Sequence, residues 1–463
     1  MTSTKTVNVI QAFDGELIEE LPLHSRDDVE RMLFTASNTF LNRETWKPAY
    51  QRITILEKLI VLMLAEADDL AMTIAREGGK PLADAVVEVD RAINGVKLAI
   101  EEIGQLKGEQ IPMDLTAGGA GRLAFTKKEP IGVVLAVSAF NHPLNLIVHQ
   151  VVPAIATGCP VIVKPAANTP LSCLRFVELV HKAGLEKDWC QFCLCDRETA
   201  ELLISDSRIA FFSFIGSAKV GWELRGKLAP GTRCALEHGG AAPVIVAADA
   251  KAEQAIPLLV KGGFYHAGQV CVSVQRVYVD NQIKEAFIEE MIARIGALKV
   301  GDPTNPETEV GPLIRPGEVD RVEQWVNDAI EAGAKCVVGG KRLNGHFFAP
   351  TILVDPPIDT NVSSMEIFGP VICIYGFDDV SEAIAQANAL PFSFQSAVFT
   401  QDINVALNAA DSLAASAVMI NDHTAFRVDW MPFAGYKTSG LGVGGIPHTM
   451  ADMVQDKMIV VKM

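Results

Sequence analysis

The sequence predicts an α/β protein of two doubly wound domains with a projecting β arm. Three observations carry this prediction. Short, β-rich apolar runs alternate with helix-length segments from Pro130 to about His238. A second alternation of the same kind starts near Gly239. Strand-like patterning also marks residues 112–130 and the C-terminal DKMIVVKM, which lie outside both alternations.

Residues 27–107 read as helix after helix. VERMLFTASNTFL and RITILEKLIVLMLAEADDLAMTIAREG space their apolar residues three and four apart. Gly78 and Gly79, followed by Pro81, break two of these helices. Residues 112–130 combine Gly-rich turn material with polar–apolar alternation, as expected of an arm. IGVVLAV is then a buried strand and PLNLIVHQVVPAIATG a helix. PVIVKPA, SCLRFVELVHKAG, QFCLC, RETAELLISD, AFFSFIG and SAKVGWELRGKLA repeat the alternation. Parallel sheets bind ligands beyond the carboxyl ends of their strands, so the residues after each run matter most. APVIVAAD, the segment ending in FYHAGQVC, VQRVYVD and KEAFIEEMIARIGAL begin the second domain. The expected division is 1–111 with 131–238 as a dinucleotide-binding domain, 239–447 as a catalytic domain, and 112–130 with 448–463 as an oligomerisation arm. The last strand has the character of one that pairs with another subunit.

At 463 residues, 49% hydrophobic and 21% charged, the chain has the balance of a globular protein. A net charge of -16 without any basic run argues against nucleic acid and anionic membrane surfaces. No apolar stretch approaches the roughly 20 residues that span a bilayer, and the N-terminus lacks the pattern of a signal peptide. Nine cysteines spread over this length make no disulfide framework, so reduced thiols in a cytoplasm are expected. Cys190 and Cys193 have metal-like spacing but sit with Cys195 in an apolar strand without a second pair, so no metal is expected.

A cysteine seen alone is more often a buried core residue than a nucleophile. Cys271, in HAGQVCVSVQR, follows a helix and stands near Gly268, where backbone amides can approach a ligand. Glu237, in LEHGG, ends a strand before two glycines, a place for a carboxylate that activates water or for a solvated loop acid. Asn141, in SAFNHPLN, follows the first strand of the sheet, where its amide can serve an oxyanion or cap a helix. Lys164, in VIVKPA, ends an apolar strand, and a lysine there is costly unless it meets solvent or a ligand.

Taken together and in order, SAFNHPLN, VIVKPA, FIGSAKVG, LEHGG, FYHAGQVC, MEIFGP and PFAGYKTSG resemble the aldehyde dehydrogenase superfamily over essentially the whole chain. The spacing of Glu237 to Cys271, 34 residues, belongs to that resemblance. It implies the aldehyde dehydrogenase-like fold and oxidation of an aldehyde to the acid with NAD or NADP. Cys271 resembles the nucleophile that forms a thiohemiacetal and then a thioester. Asn141 and the Cys271 backbone N–H resemble the oxyanion donors, and Glu237 the base that activates water. Lys164 resembles the lysine on the adenosine ribose, Gly216 and Ser217 the pyrophosphate turn, and Glu366 the acid on the nicotinamide ribose, with Phe368 packing beside it. The resemblance also implies a homodimer or homotetramer.

Several positions depart from the family. Many NAD-using members carry a glutamate on the ribose 2′-OH where this chain has Ala167, which removes a barrier to NADP. Phe140 replaces a frequent tryptophan, and His238 replaces the usual apolar residue after the base. No clear counterpart exists for a second glutamate that some members use in proton relay. Arg427, in NDHTAFRVDWMPF, falls in the segment that shapes the aldehyde tunnel in relatives. It points to an aldehyde with a carboxylate, sulfonate or phosphonate tail, with a surface or interdomain ion pair as the equal alternative. His149, two turns after Asn141, is a further substrate-side expectation. SAFNHPLNLIVHQ and FYHAGQVC are loosely similar to members acting on lactaldehyde, phosphonoacetaldehyde or sulfoacetaldehyde. Two other functions stand beside hydrolytic oxidation. A CoA-acylating semialdehyde dehydrogenase is disfavoured by Glu237, and a non-catalytic binding protein by the intact Cys271, Glu237, Asn141 and Lys164.

Overall fold

The computed structural model describes residues 5–463. Its first sheet has six strands in the order Gly440–Leu441, Arg233–Glu237, Ile209–Ile215, Val133–Val137, Val161–Lys164 and Cys190–Phe192. All neighbours are parallel except the short edge strand Gly440–Leu441. Val133–Val137 is central and buried at every residue, which is why it reads as an unbroken apolar run rather than an alternating one. The chain builds outward from this strand in one direction, then returns to its other side at Ile209–Ile215. A crevice therefore opens between the ends of these two strands.

The N-terminal helices cover this sheet. Arg26–Leu41, started by a Ser25–Asp28 capping box, packs Val29, Leu33 and Ala36 on one face with Leu203 and Phe212. Ala49–Ala65, Ala67–Gly78 and Leu82–Ile103 cover the other face with Asn145–Thr157, a helix buried at every residue.

The second sheet has seven strands in the order Lys335–Val338, Thr351–Val354, Val371–Phe377, Arg276–Asp280, Pro243–Val246, Gln395–Phe399 and Ala417–Ile420. Only Lys335–Val338 runs antiparallel to its neighbour. It carries its own apolar core.

The arm is a three-stranded sheet. Its long strands, Arg122–Pro130 and Val454–Lys462, pair antiparallel over nine residues within one chain. The C-terminal strand is thus first a partner of its own arm; its outer edge is open, with Met458, Val460 and Val461 exposed. Two expected boundaries move. Helix Ile446–Asp452 does not belong to the arm, because Ile446, Met450 and Met453 are buried in the core of the first unit. Nor does the second unit run to 447, since Gly440–Leu441 pairs with Arg233–Glu237 of the first sheet. Among the described residues no helix is long and apolar enough to cross a membrane.

Candidate active site

A cavity of about 500 Å³ lies between the two sheets. The first unit supplies residues that follow its strands: Asn141 after Val133–Val137, Gly216 and Ser217 after Ile209–Ile215, and Glu237 at the end of Arg233–Glu237. The second unit supplies residues that precede its strands: Cys271 before Arg276–Asp280, and Glu366 and Phe368 before Val371–Phe377. Phe140 and Arg427 also line the cavity.

Cys271 is presented by an unusual backbone. After helix Ala252–Phe264, three consecutive residues adopt left-handed φ: His266 at 50°, Ala267 at 53° and Gly268 at 69°. Two of these are not glycine, and such conformations cost on the order of 1 kcal/mol each unless the surroundings impose them. Here they do. A Cβ on Gly268 would lie 2.2 Å from the Gly369 carbonyl, so only glycine fits. Gln269 donates to the carbonyls of His266 and Pro312 at 3.1 and 3.2 Å, and its Oε1 accepts from the Ile314 N–H at 2.9 Å. The Thr424 hydroxyl donates to the Val272 carbonyl at 2.7 Å. The loop that carries Cys271 is therefore fastened on both sides of it.

Asn141 is buried, and its Nδ2 donates to the Gln269 carbonyl at 3.0 Å. One amide N–H is thereby committed to holding orientation, and the second stays free to serve an oxyanion. Burial, together with the Glu366 carboxylate, pushes the Cys271 thiol up to about 12, against the pull of Arg427. The thiol thus keeps its proton at neutral pH in the free protein. Burial likewise raises Glu237, with Arg427 opposing the shift. Glu237 lies under the chain at Gly444, where a Cβ would sit 2.1 Å from its Oε1.

The other end of the cavity holds Arg427. Its guanidinium stacks 3.5 Å over the Phe433 ring, and its Nη2 lies 3.4 Å from His149 Nδ1. Its Nε is buried without a partner, and no carboxylate among the described residues forms an ion pair with it. His149 does not line the cavity as expected from helical spacing. Asn141 precedes the helix, which starts at Asn145, so the count of two turns does not apply. Instead His149 is buried behind Arg427 and donates from Nε2 to Asp429 at 2.8 Å. Burial pushes it down to about 4, which keeps it neutral. Asp429 also accepts from Arg91 at 2.7 and 3.3 Å and from Asn145 at 3.3 Å. Burial works against its charge, but His149 and Arg91 outweigh that and hold the carboxyl well below the usual range. Arg91 lines the cavity too. Sequence reasoning missed it, because an arginine on an amphipathic helix reads as part of a solvated face; Asp429, two residues after Arg427, was the available signal.

The cofactor side can be tested for fit. Ser217 is the N-cap of helix Ala218–Arg225 but makes no side-chain cap bond, and it is exposed on the cavity wall. A helix start left open in this way suits a phosphate. Glu366 accepts from the Gly240 N–H, yet its Oε1 is buried without a partner and burial pushes its carboxyl up to about 8. A Cβ on Gly239 would fall 1.6 Å from that same oxygen. A partnerless acceptor beside a glycine is what ribose hydroxyls would satisfy. Phe368 meets Phe140 edge to face at 5.8 Å. Lys164 and Ala167 lie outside the cavity lining, next to Ala166, which belongs to it. Lys164 is half-buried and Ala167 exposed at the carboxyl end of their strand. The residues present fit a nicotinamide dinucleotide.

Comparison with known proteins agrees with this arrangement. Residues 1–459 match the aldehyde dehydrogenase family. The chain is 36% identical over 463 residues to 3-sulfolactaldehyde dehydrogenase of Priestia aryabhattai, covering all of this chain and 96% of the relative. It superposes with TM-score 0.95 and 35% identity on aldehyde dehydrogenase 21 of Physcomitrella patens in complex with the reaction product succinate, covering 100% of this chain and 96% of that one. It superposes with TM-score 0.93 and 35% identity on a glyceraldehyde-3-phosphate dehydrogenase of Methanocaldococcus jannaschii complexed with NADP, over the full length of both.

Proposed function

The chain belongs to the aldehyde dehydrogenase family, and on that premise we propose that it oxidises a small aldehyde with an anionic tail to the carboxylic acid. It is an NAD(P)-dependent dehydrogenase. The observation that carries the substrate class is Arg427: a half-buried guanidinium on the cavity wall whose Nε has no partner and which forms no ion pair among the described residues. A half-buried guanidinium that forms no ion pair has hydrogen-bonding capacity to spare, so the site is completed by an anion that arrives with the substrate. Arg91 adds a second guanidinium, already paired with Asp429, while Glu237 and Asp429 act on Arg427 only through space. Three of the relatives support the reading, since sulfolactaldehyde, succinate and glyceraldehyde 3-phosphate carry an anionic group, whereas a relative of 37% identity is named for uncharged lactaldehyde.

The chemistry assigned to this chain's residues follows. The Cys271 thiol adds to the carbonyl carbon, giving up its proton to water in the cavity. The oxyanion of the resulting thiohemiacetal is held by the free N–H of Asn141 and the backbone N–H of Cys271; one such donor is worth about 100- to 1,000-fold in rate. The cofactor, when bound, supplies the hydride acceptor. Loss of hydride from the adduct leaves a thioester on Cys271. Glu237 then takes a proton from water, which attacks the thioester, and hands it to the departing Cys271 sulfur as the acid is released. Lys164, Gly216, Ser217, Glu366 and Phe368 hold the cofactor, and Ala167 leaves room for a 2′-phosphate. The open edge of Val454–Lys462 is the surface we propose for pairing with a second copy.

The test is cofactor reduction with succinate semialdehyde, glyceraldehyde 3-phosphate and propanal, using NAD and NADP in parallel. Cys271→Ala abolishes turnover. Arg427→Ala lowers kcat/KM for the anionic aldehydes about 10- to 100-fold, the worth of a charge-assisted hydrogen bond, and leaves propanal within about threefold. Equal loss on both kinds of aldehyde defeats the anion-anchor reading.

A further inference from the structure

The residue after Glu237, His238, is polar and yet only 2% exposed. Its ring is wedged between Phe214 and Trp222, at 5.7 and 5.8 Å, both edge-on. A Cβ on Gly221 would lie 1.9 Å from its Cε1, so the ring rests directly on the backbone of helix Ala218–Arg225. Its Nδ1 lies 2.9 Å from the Gly216 carbonyl, while Nε2 is buried without a partner. Burial favours the neutral ring, and the single proton belongs on Nδ1, where an acceptor waits. The Gly216 N–H in turn donates to the Glu237 carbonyl at 3.0 Å. Two hydrogen bonds therefore tie the turn at Gly216 to the strand end that bears the base.

We propose that His238 is a positioning residue for the cofactor, setting the direction in which the Gly216–Ser217 peptide presents its N–H to the pyrophosphate. A trans peptide is planar, with its C=O and N–H pointing in opposite directions. Holding the Gly216 carbonyl toward His238 therefore aims the Ser217 N–H away from that ring, toward the cavity that Ser217 lines. That N–H belongs to the open end of helix Ala218–Arg225, where an anion gains most from a fixed donor. An aliphatic side chain fills the same space but leaves this peptide free to rotate. The inference rests on the reading of Gly216–Ser217 as the pyrophosphate turn.

The experiment measures NADP and NAD dissociation constants of the full-length protein by calorimetry, without substrate. His238→Leu keeps the packing and loses the donor; Kd rises about tenfold, the usual effect of removing a partner from a buried acceptor. His238→Asn places an amide N–H where Nδ1 stood and keeps Kd within about threefold of the wild type. At saturating cofactor, kcat for a good aldehyde stays within about threefold in both variants, giving a split between cofactor affinity and turnover. Ser217→Asp, which sets a carboxylate on the turn, weakens binding at least tenfold. Unchanged affinity in Ser217→Asp overturns the pyrophosphate-turn reading and the proposal with it. Weakened binding in Ser217→Asp with unchanged affinity in His238→Leu overturns the proposal alone. Equal weakening in His238→Asn and His238→Leu, or a fall in kcat with Kd unchanged, also overturns it.

Discussion

Replacing Gly444 by alanine tests the assignment of Glu237 as the base without touching its chemistry. The new Cβ would fall 2.1 Å from Glu237 Oε1 and 2.9 Å from its Cδ, with the Phe433 carbonyl at 3.1 Å on the other side. Contacts under about 3 Å cannot persist, and the carboxyl is the end of a flexible side chain, so it moves by an ångström or more while the backbone stays. Gly444 has no left-handed φ, so alanine brings no backbone strain of that kind. A general base contributes about 100- to 10,000-fold, and displacement by this distance forfeits much of that. Steady-state turnover is expected to fall about 100-fold. The effect should fall on hydrolysis, where water must be deprotonated and aligned at once. Stopped-flow measurement of cofactor reduction should then show a burst of close to one equivalent per active site, followed by a slow phase. Glu237→Gln should give the same pattern. Turnover within threefold of the wild type, or loss of burst and steady state together, would refute the placing of Glu237 at the hydrolytic step.

Ala167→Glu should shift cofactor preference, because a carboxylate at that position repels a 2′-phosphate and bonds a 2′-hydroxyl. The expected outcome is a fall of at least tenfold in kcat/KM for NADP with that for NAD unchanged or raised, checked by paired titrations; a parallel change in both counts against the position. Glu366, raised to about 8 by burial from an ordinary 4.5, holds its proton at pH 7 in the free protein. The stability it contributes is full below about pH 4.5 and lost as the pH rises through about 8. Glu366→Gln should remove that part of the decline in unfolding midpoint between pH 5 and 8.5. If ribose hydroxyls donate to the ionised carboxylate, cofactor binding at pH 7 also releases a fraction of a proton, seen as a buffer-dependent binding enthalpy that the glutamine variant lacks.

The division of labour at the cavity explains what the sequence made legible. Asn141 and Glu237 stand at the carboxyl ends of strands of a parallel sheet, where ligands are expected on general grounds, and their place in the alternation brought them forward, while Gly216 was exposed by its motif. Cys271, Glu366 and Phe368 precede their strands, so the same rule looks past them, and only the ordered motifs exposed them. The helices and strands were legible because their apolar spacing is set by the cores they enter. The arm's boundary was not: helix Ile446–Asp452 is too short to show its own periodicity, and its burial depends on helices hundreds of residues earlier.

The remaining gap has one physical origin. Arg91 and Asp429 are 338 positions apart, and neither residue carries a local signature of the contact. Gly444 reads as one more glycine near a chain end, yet it leaves the space in which the Glu237 carboxyl sits. His238 reads as a substitution in a familiar pattern, and only its bond to Gly216 gives it a task. Each of these residues acts by holding another: Asp429 orders His149 and Arg91, His149 faces Arg427, and His238 fixes a peptide plane. The reacting atoms leave motifs in a sequence because their chemistry limits the residue types that serve. A supporting residue is limited instead by the shape and charge of its neighbours, which exist only once the chain has folded. That difference predicts where variants will behave unlike their motifs suggest: at 238 and 444, two positions beside an intact Glu237.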